Sequence, residues 1–476
     1  MTALDLILTR FEQLSAVPRD TKNEAGLRQW LIDWANGCGL KSTVDVVGNL
    51  IVYVPASQGR EGRPALILQG HLDMVCQKTA DSSHDFTRDP IRVIRDGDWL
   101  KADHTTLGAD NGIAIALMMT LAEDSGVAHP PLELLLTVEE EVSGAGADFL
   151  EPSNLTGKTL LNLDSEEDGV FTIGAAGGGS VFLHMPTAWE SMGQGAAFRL
   201  TVDGLQGGHS GGDIHKNRGN ANKLLARALD DLQCEFPIRL ANIQGGSARN
   251  AIPREAQAVF VCDQGNATRC GERVADFERI LRGEFSATEN GLRLTLAAAE
   301  NPARVMGLPE SSAIVRLLLS LPNGVSEMSA DIPGFVETSN NIGIVETLEE
   351  EVHIISNHRS AVFTRLEAIT RRVEAIGHLA GARMERNKMF PPWQPNLASP
   401  LLKKSLAIYE RTHGQPAKVE MTHGGLECGI ISDRCGGLDT LSCGPTIENP
   451  HSPDERLYVP SVQRVWDFLV GLLAEM

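Results

Sequence analysis

Four segments of this chain place a metal-binding type of side chain at the end of an apolar strand-like run or directly before an apolar helix-like one. "ALILQGHLD" delivers His71 and Asp73, and "LGADNG" delivers Asp110. "LLLTVEEEVSGAGA" delivers Glu139, Glu140 and Glu141, and "TLLNLDSEEDG" delivers Asp164. A fifth piece near the far end, "GPTIENPHSPDE", delivers His451. The runs "LIVYV", "ALILQG", "LELLLTV" and "TLLNLD" are short, apolar and followed by turn residues, which predicts strands. "NGIAIALMMTLAED" is apolar throughout and predicts a buried helix. Strands alternating with helices predict an α/β domain with a mainly parallel mixed sheet, whose ligands gather at the strands' carboxyl ends.

The pattern changes after "IGAAGGGSVF". From 187 to 386 the signals are those of an α+β insertion, a lid domain set into a discontinuous first domain of residues 1–186 and 387–476. The insertion is about twice a small module of ~100 residues. Its strand and helix signals fall in two successive groups, which predicts two α+β units. The chain has 476 residues and a formal net charge of -20. That balance argues against nucleic acid or an anionic membrane as a partner. No apolar run reaches the ~18–20 residues of a membrane span. The start, "MTALDLILTRFEQL", reads as an amphipathic helix and not as a signal peptide. Eight scattered cysteines with no CxxC fit a reduced, cytoplasmic protein.

Imidazole nitrogen and carboxylate oxygen are ligands that Zn²⁺ accepts. Two metals ~3.5–4 Å apart need a bridge, and a carboxylate can supply one oxygen to each. Taken singly, each piece has an ordinary explanation. An Asp before a helix caps it, a run of glutamates is a solvated face, and an Asp after a strand makes a turn. These explanations have to hold together for several strand ends in one domain, and a shared site is the simpler account.

The order of HxD, "GADNG", a Glu pair, "NLDSEE" and a late "PHSPDE" resembles the di-zinc exopeptidase family of aminoacylases, carboxypeptidase G, succinyl-diaminopimelate desuccinylase and carnosinases. Within it, "TTLGADNGIAIA", "GGHSGGDIHKNRGNAN", "RNAIPREA", "GLECGI" and "PHSPDERL" are most similar to the aminoacyl-histidine dipeptidase branch. The resemblance implies two Zn²⁺ ions, replaceable by Mn²⁺ or Co²⁺. His71, Asp110 and Asp164 would hold one, and Asp110, Glu141 and His451 the other, with Asp110 bridging. Glu140 would be the general base, and Asp73 would orient His71. The extra Glu139 leaves two registers for the catalytic pair. The "EExxxxGA" spacing selects Glu140 and Glu141 over Glu139 and Glu140.

In the insertion the resemblance implies that His209, in "GGHSGG", helps polarise the scissile carbonyl. It implies substrate contacts from Asn250, in "SARNAIPRE", and from Arg359, in "SNHRSAV", as the clamp on a free carboxylate. Their bland readings are a glycine turn, a hairpin Asn and an arginine lying along a strand. Glu427, in "GLECG", is a weaker supporting candidate. His104 stands where many relatives have glycine. The expected activity is hydrolysis of dipeptides, Xaa-His types among them, by a monomer or homodimer. N-acyl amino acids or tripeptides are the alternative substrates, and an inactive binding relative or a metal-free α/β protein the remaining ones.

Overall fold

The computed structural model describes residues 2–476. The chain forms two units. The first takes in the residues up to Ala175 together with Trp393–Met421 and Leu426–Met476. Its eight-stranded sheet has four parallel strands at the centre, in the order Leu132–Thr137, Leu66–His71, Thr159–Asn162 and Asp439–Ser442. Lys41–Val44 and Leu50–Val54 extend it antiparallel on one side, and Val170–Ala175 pairs antiparallel on the other. Every residue of Leu66–His71 and Leu132–Thr137 is buried. Such strands are covered on both faces and read as unbroken apolar runs, without the alternation of a half-exposed strand. The helix Ala109–Glu123 is apolar all round and buried along its length, and Ala3–Ser15 packs against it. That N-terminal helix is fixed by a reciprocal cap between Thr2 and Asp5.

The second unit comprises Ala176–Pro392 and Thr422–Gly425, built on one nine-stranded sheet. Ala196–Asp203, helix Ala221–Gln233, Arg239–Gly245, Ala256–Cys262, helix Ala267–Glu284 and Arg293–Ala298 form a βαββαβ half. Its strands lie in the spatial order fourth, first, third, second. Gly177–Pro186, helix Leu308–Ser320, Val336–Thr347, Glu351–Ser360, helix Phe363–Ala380 and Arg383–Arg386 repeat that order. The first half is inserted after the first strand of the second. The second strands of the two halves pair antiparallel at Gln244–Glu346 and Gly245–Val345, and the first helices pack together. Lys223 crosses this seam and donates to the carbonyls of Leu318, Leu319 and Leu321 at 2.6–2.7 Å. One apolar core runs through both halves. The two groups of signals therefore share one sheet and one core, and are not separable modules.

The boundaries differ from those expected at 187 and 386. Gly177–Pro186 is an interior strand of the second sheet, between Glu351–Ser360 and Arg383–Arg386. Glycine runs commonly punctuate chains, but these are needed for a close approach. A Cβ at Gly177 would lie 2.4 Å from the Pro392 nitrogen, so only glycine admits the returning segment.

Candidate active site

His71 ends its central strand and lies opposite Thr137, the last residue of the neighbouring one. Three residues past Thr137 comes Glu140, then Glu141. Asp164 follows two residues after Thr159–Asn162. Asp110 sits in the first turn of Ala109–Glu123, where the backbone is not yet helical. His451 arrives on the loop between Ile447–Glu448 and Arg456–Tyr458, with φ 60°, an uncommon left-handed setting for histidine. Five segments distant in sequence thus meet at the carboxyl ends of the central strands.

The two oxygens of Asp110 face different imidazoles. Oδ1 is 3.0 Å from His71 Nε2, and Oδ2 is 3.1 Å from His451 Nε2. His71 Nε2 also lies 3.3 Å from Asp164 Oδ1, and His451 Nε2 lies 3.0 Å from Glu141 Oε2. The result is two groups of three, His71–Asp110–Asp164 and His451–Asp110–Glu141, sharing one carboxylate. Ligand atoms of His71, Asp110 and Glu141 lie within 4.8 Å of one another.

The electrostatics of this cluster call for cations. Glu141 Oε1 and Asp164 Oδ1 are buried without a hydrogen bond. Burial, with Asp110 and Glu141 nearby, pushes the Asp164 carboxyl up to about 7. Burial likewise raises Glu140 well above the usual carboxylate range, with Asp164, Glu427 and Glu141 adding to it. Burial works to raise Asp110 too, but the hydrogen bonds with His451 and His71 outweigh it and Asp110 is lowered. Buried carboxylates crowded together without compensating charge are costly. A donor set of imidazole nitrogen and carboxylate oxygen suits divalent zinc, manganese or cobalt.

Asp73 does more than aim His71. His71 Nδ1 lies 3.1 Å from the Asp73 carbonyl and 3.4 Å from its carboxylate Oδ1. The same carboxylate accepts the backbone N–H of Glu140 at 3.1 Å, that of Glu141 at 3.2 Å, and the Thr21 hydroxyl at 2.9 Å. One buried side chain thereby fixes both an imidazole and the turn that presents the Glu pair. Glu427 is buried, and its Oε2 accepts from Gln69 Nε2 at 2.8 Å and from the Thr137 hydroxyl at 2.5 Å. It ties together the strands that end at His71 and Thr137. His104 has φ 61°, a left-handed backbone setting that glycine adopts most readily.

Two supporting residues went unnoticed in the sequence. Glu455 is 2% exposed and accepts the backbone N–H groups of Leu107, Gly108 and Ala109 at 2.8–3.0 Å. Arg19 is equally buried and donates to the carbonyls of Leu72, Asp73 and Gly108. Together they clamp the loop that delivers Asp110. Glu455 stands four residues after His451, and that spacing was the available signal.

The remaining predicted residues lie in the second unit. His209 pairs with Ala251, and Ser210 N donates to the Asn250 carbonyl at 2.8 Å, so the two loops are joined. The Asn250 residue itself is exposed. His209 Nδ1 accepts from Gly211 and Gly212 N–H at 3.3 and 3.0 Å, which leaves the proton on Nε2. Burial and the Arg359 charge lower its pKa and hold it neutral. Arg359 is 8% exposed. Among the described residues it has no carboxylate at ion-pairing distance, burial alone perturbs it, and its Nε is buried without a partner.

Residues 197–289 match the model of a peptidase dimerisation domain of the M20 class. The chain is 38% identical over 467 residues to the cytosol non-specific dipeptidase of Escherichia coli (strain K12), covering 98% of this chain and 96% of that one. Its fold is similar to the crystal structure of aminoacylhistidine dipeptidase from Vibrio alginolyticus, with a TM-score of 0.90 and 36% identity over 99% of this chain and 96% of that one. The aminopeptidase PepT from Bacillus cereus shares the fold at 16% identity, with a TM-score of 0.59 over 99% of this chain and 98% of that one.

Proposed function

Since the chain belongs to the M20 peptidase family, in the group of the cytosol non-specific and aminoacylhistidine dipeptidases, we propose that it is a two-metal dipeptidase working in the cytosol. The observation that carries the reading is Asp110, each of whose carboxylate oxygens faces a different imidazole. In the proposal His71, Asp110 and Asp164 hold one Zn²⁺, and Asp110, Glu141 and His451 hold the other. Such a pair, when bound, supplies the Lewis acidity that makes water a nucleophile near neutral pH and polarises a carbonyl.

The chain's own groups supply the rest. Glu140 accepts a proton from the attacking water and passes it to the leaving amine, a role suited to a carboxylate whose proton affinity burial has raised. Asp73 keeps Glu140 and His71 in place through the backbone and ring contacts described. His209 offers its Nε2–H to the oxygen that gains charge, and a neutral donor suits that task. Asn250 contacts the substrate, and Arg359 clamps its free carboxylate in fork geometry. Histidine as the second residue of the substrate enters through the name of the Vibrio alginolyticus relative alone.

The test is a panel of dipeptides, dipeptide amides, tripeptides and N-acyl amino acids given to the metal-reconstituted protein. Dipeptides bearing a free carboxylate should be cleaved fastest. Equal turnover of amides or longer peptides would overturn the dipeptidase assignment.

A further inference from the structure

His423 had no motif around it in the sequence, yet it meets the one buried guanidinium of the second unit that was singled out for substrate binding. It lies in Thr422–Gly425, the short return of the chain that packs with that unit. It is 7% exposed. Its carbonyl oxygen accepts from Arg359 Nη1 at 3.4 Å, and its Nε2 is 2.8 Å from Ser339 Oγ. Ser339 and Arg359 are direct cross-strand partners, so their side chains leave the same face of the sheet. The His209 loop touches this cluster too, because a Cβ at Gly211 would lie 2.7 Å from the His423 carbonyl oxygen.

Two nitrogens in the cluster are buried without a hydrogen-bond partner, Arg359 Nε and His423 Nδ1. Arg359 can only donate. Ser339 Oγ can donate to His423 Nε2, and in that tautomer the ring proton sits on Nδ1. Burial first, and the Arg359 charge second, push the imidazole pKa down to about 3 against an opposing pull from the Val336 carbonyl, so the ring stays neutral. An uncompensated guanidinium beside a second, fixed, neutral donor fits a planar anion with two acceptor atoms.

We propose that His423 is a specificity-determining residue of the carboxylate site, its Nδ1–H taking one oxygen of the substrate's terminal carboxylate while Arg359 takes the other. The inference rests on the dipeptidase reading above and adds to it a selectivity that charge alone does not give. A terminal amide has one acceptor oxygen, and its NH₂ group would face His423 Nδ1–H, donor against donor. Sites that leave a buried polar group unpaired reject such analogues strongly.

The experiment compares the metal-loaded full-length enzyme with His423→Gln, His423→Asn and Ser339→Ala, measuring kcat and KM for a dipeptide and its amide. Asparagine can keep a donor near the Nδ1 position, whereas glutamine reaches only toward Ser339. In His423→Gln the acid-to-amide ratio of kcat/KM should fall by roughly 10- to 100-fold, through KM for the acid and with little change in kcat. His423→Asn should keep most of that ratio. Ser339→Ala, which frees the ring, should lie between the two, and it gives the answer if the His423 variants do not fold. A ratio in His423→Gln and Ser339→Ala equal to that of the parent would overturn this inference and leave the dipeptidase reading standing. A parent enzyme that cleaves amide and acid alike would overturn the carboxylate clamp itself.

Discussion

At the scale of single residues, the site divides labour between groups that differ by one position in the chain. Asp110 is expected to serve both cations, so Asp110→Ala should lose tight binding of both, while Asp164→Ala should mainly lose one. Elemental analysis of the purified variants checks this, and two full equivalents retained in Asp110→Ala would end the bridging assignment. Glu140 and Glu141 are neighbours whose side chains have different tasks. Glu141 Oε2 lies at His451, while Glu140 makes no such contact. Glu140→Ala should therefore keep most of its metal and lose activity by ~10²–10⁴-fold, the usual worth of a general base. Should Glu139→Ala be inactive and Glu140→Ala active, the register of the triple moves by one.

Elements hold these residues through their ends. The first turn of Ala109–Glu123 has unpaired N–H groups, as every helix start does. Here Glu455 takes that of Ala109 together with those of Leu107 and Gly108 just before the helix, joining the loop of His451 to the loop of Asp110. Glu455→Gln should preserve the packing but weaken metal binding by about 10- to 100-fold, as loss of a ligand's supporting partner commonly does. Titration against a competing chelator measures it, and unchanged affinity would reduce Glu455 to an ordinary helix cap. In the second unit, the helix Leu308–Ser320 ends against Lys223, whose ammonium takes three carbonyls at the seam. Lys223→Met should destabilise that unit by about 1.5–3 kcal/mol, the range for hydrogen bonds to a charged group. Denaturant unfolding followed by near-UV signal would show it as a lower midpoint at unchanged slope.

The chain forms two units, and all five expected metal ligands belong to the first. Ligand that binds only the folded state stabilises it by ~4 kcal/mol at a thousand times its dissociation constant. Stripping the metal should therefore lower one calorimetric transition by roughly 8–16 °C and leave another in place. Two transitions moving equally would contradict this. The sequence by itself determined the strand ends and their chemistry, because apolar runs, turn residues and ligand-type side chains are local signals. His71, Asp110, Glu141, Asp164 and His451 could be chosen before any coordinates, and so could most strands and helices of both units. The tertiary structure decided what depends on neighbours remote in sequence. Gly177–Pro186 became an interior strand because Glu351–Ser360 and Arg383–Arg386 flank it, which its glycines conceal. The two βαββαβ halves became one sheet because the edge at Arg239–Gly245 is covered by Val336–Thr347, a pairing no local pattern encodes. Arg19, His423 and Glu455 acquired their parts in the same way. A buried charge or imidazole takes its meaning from the partners folding gives it, and those partners lie scores to hundreds of residues away.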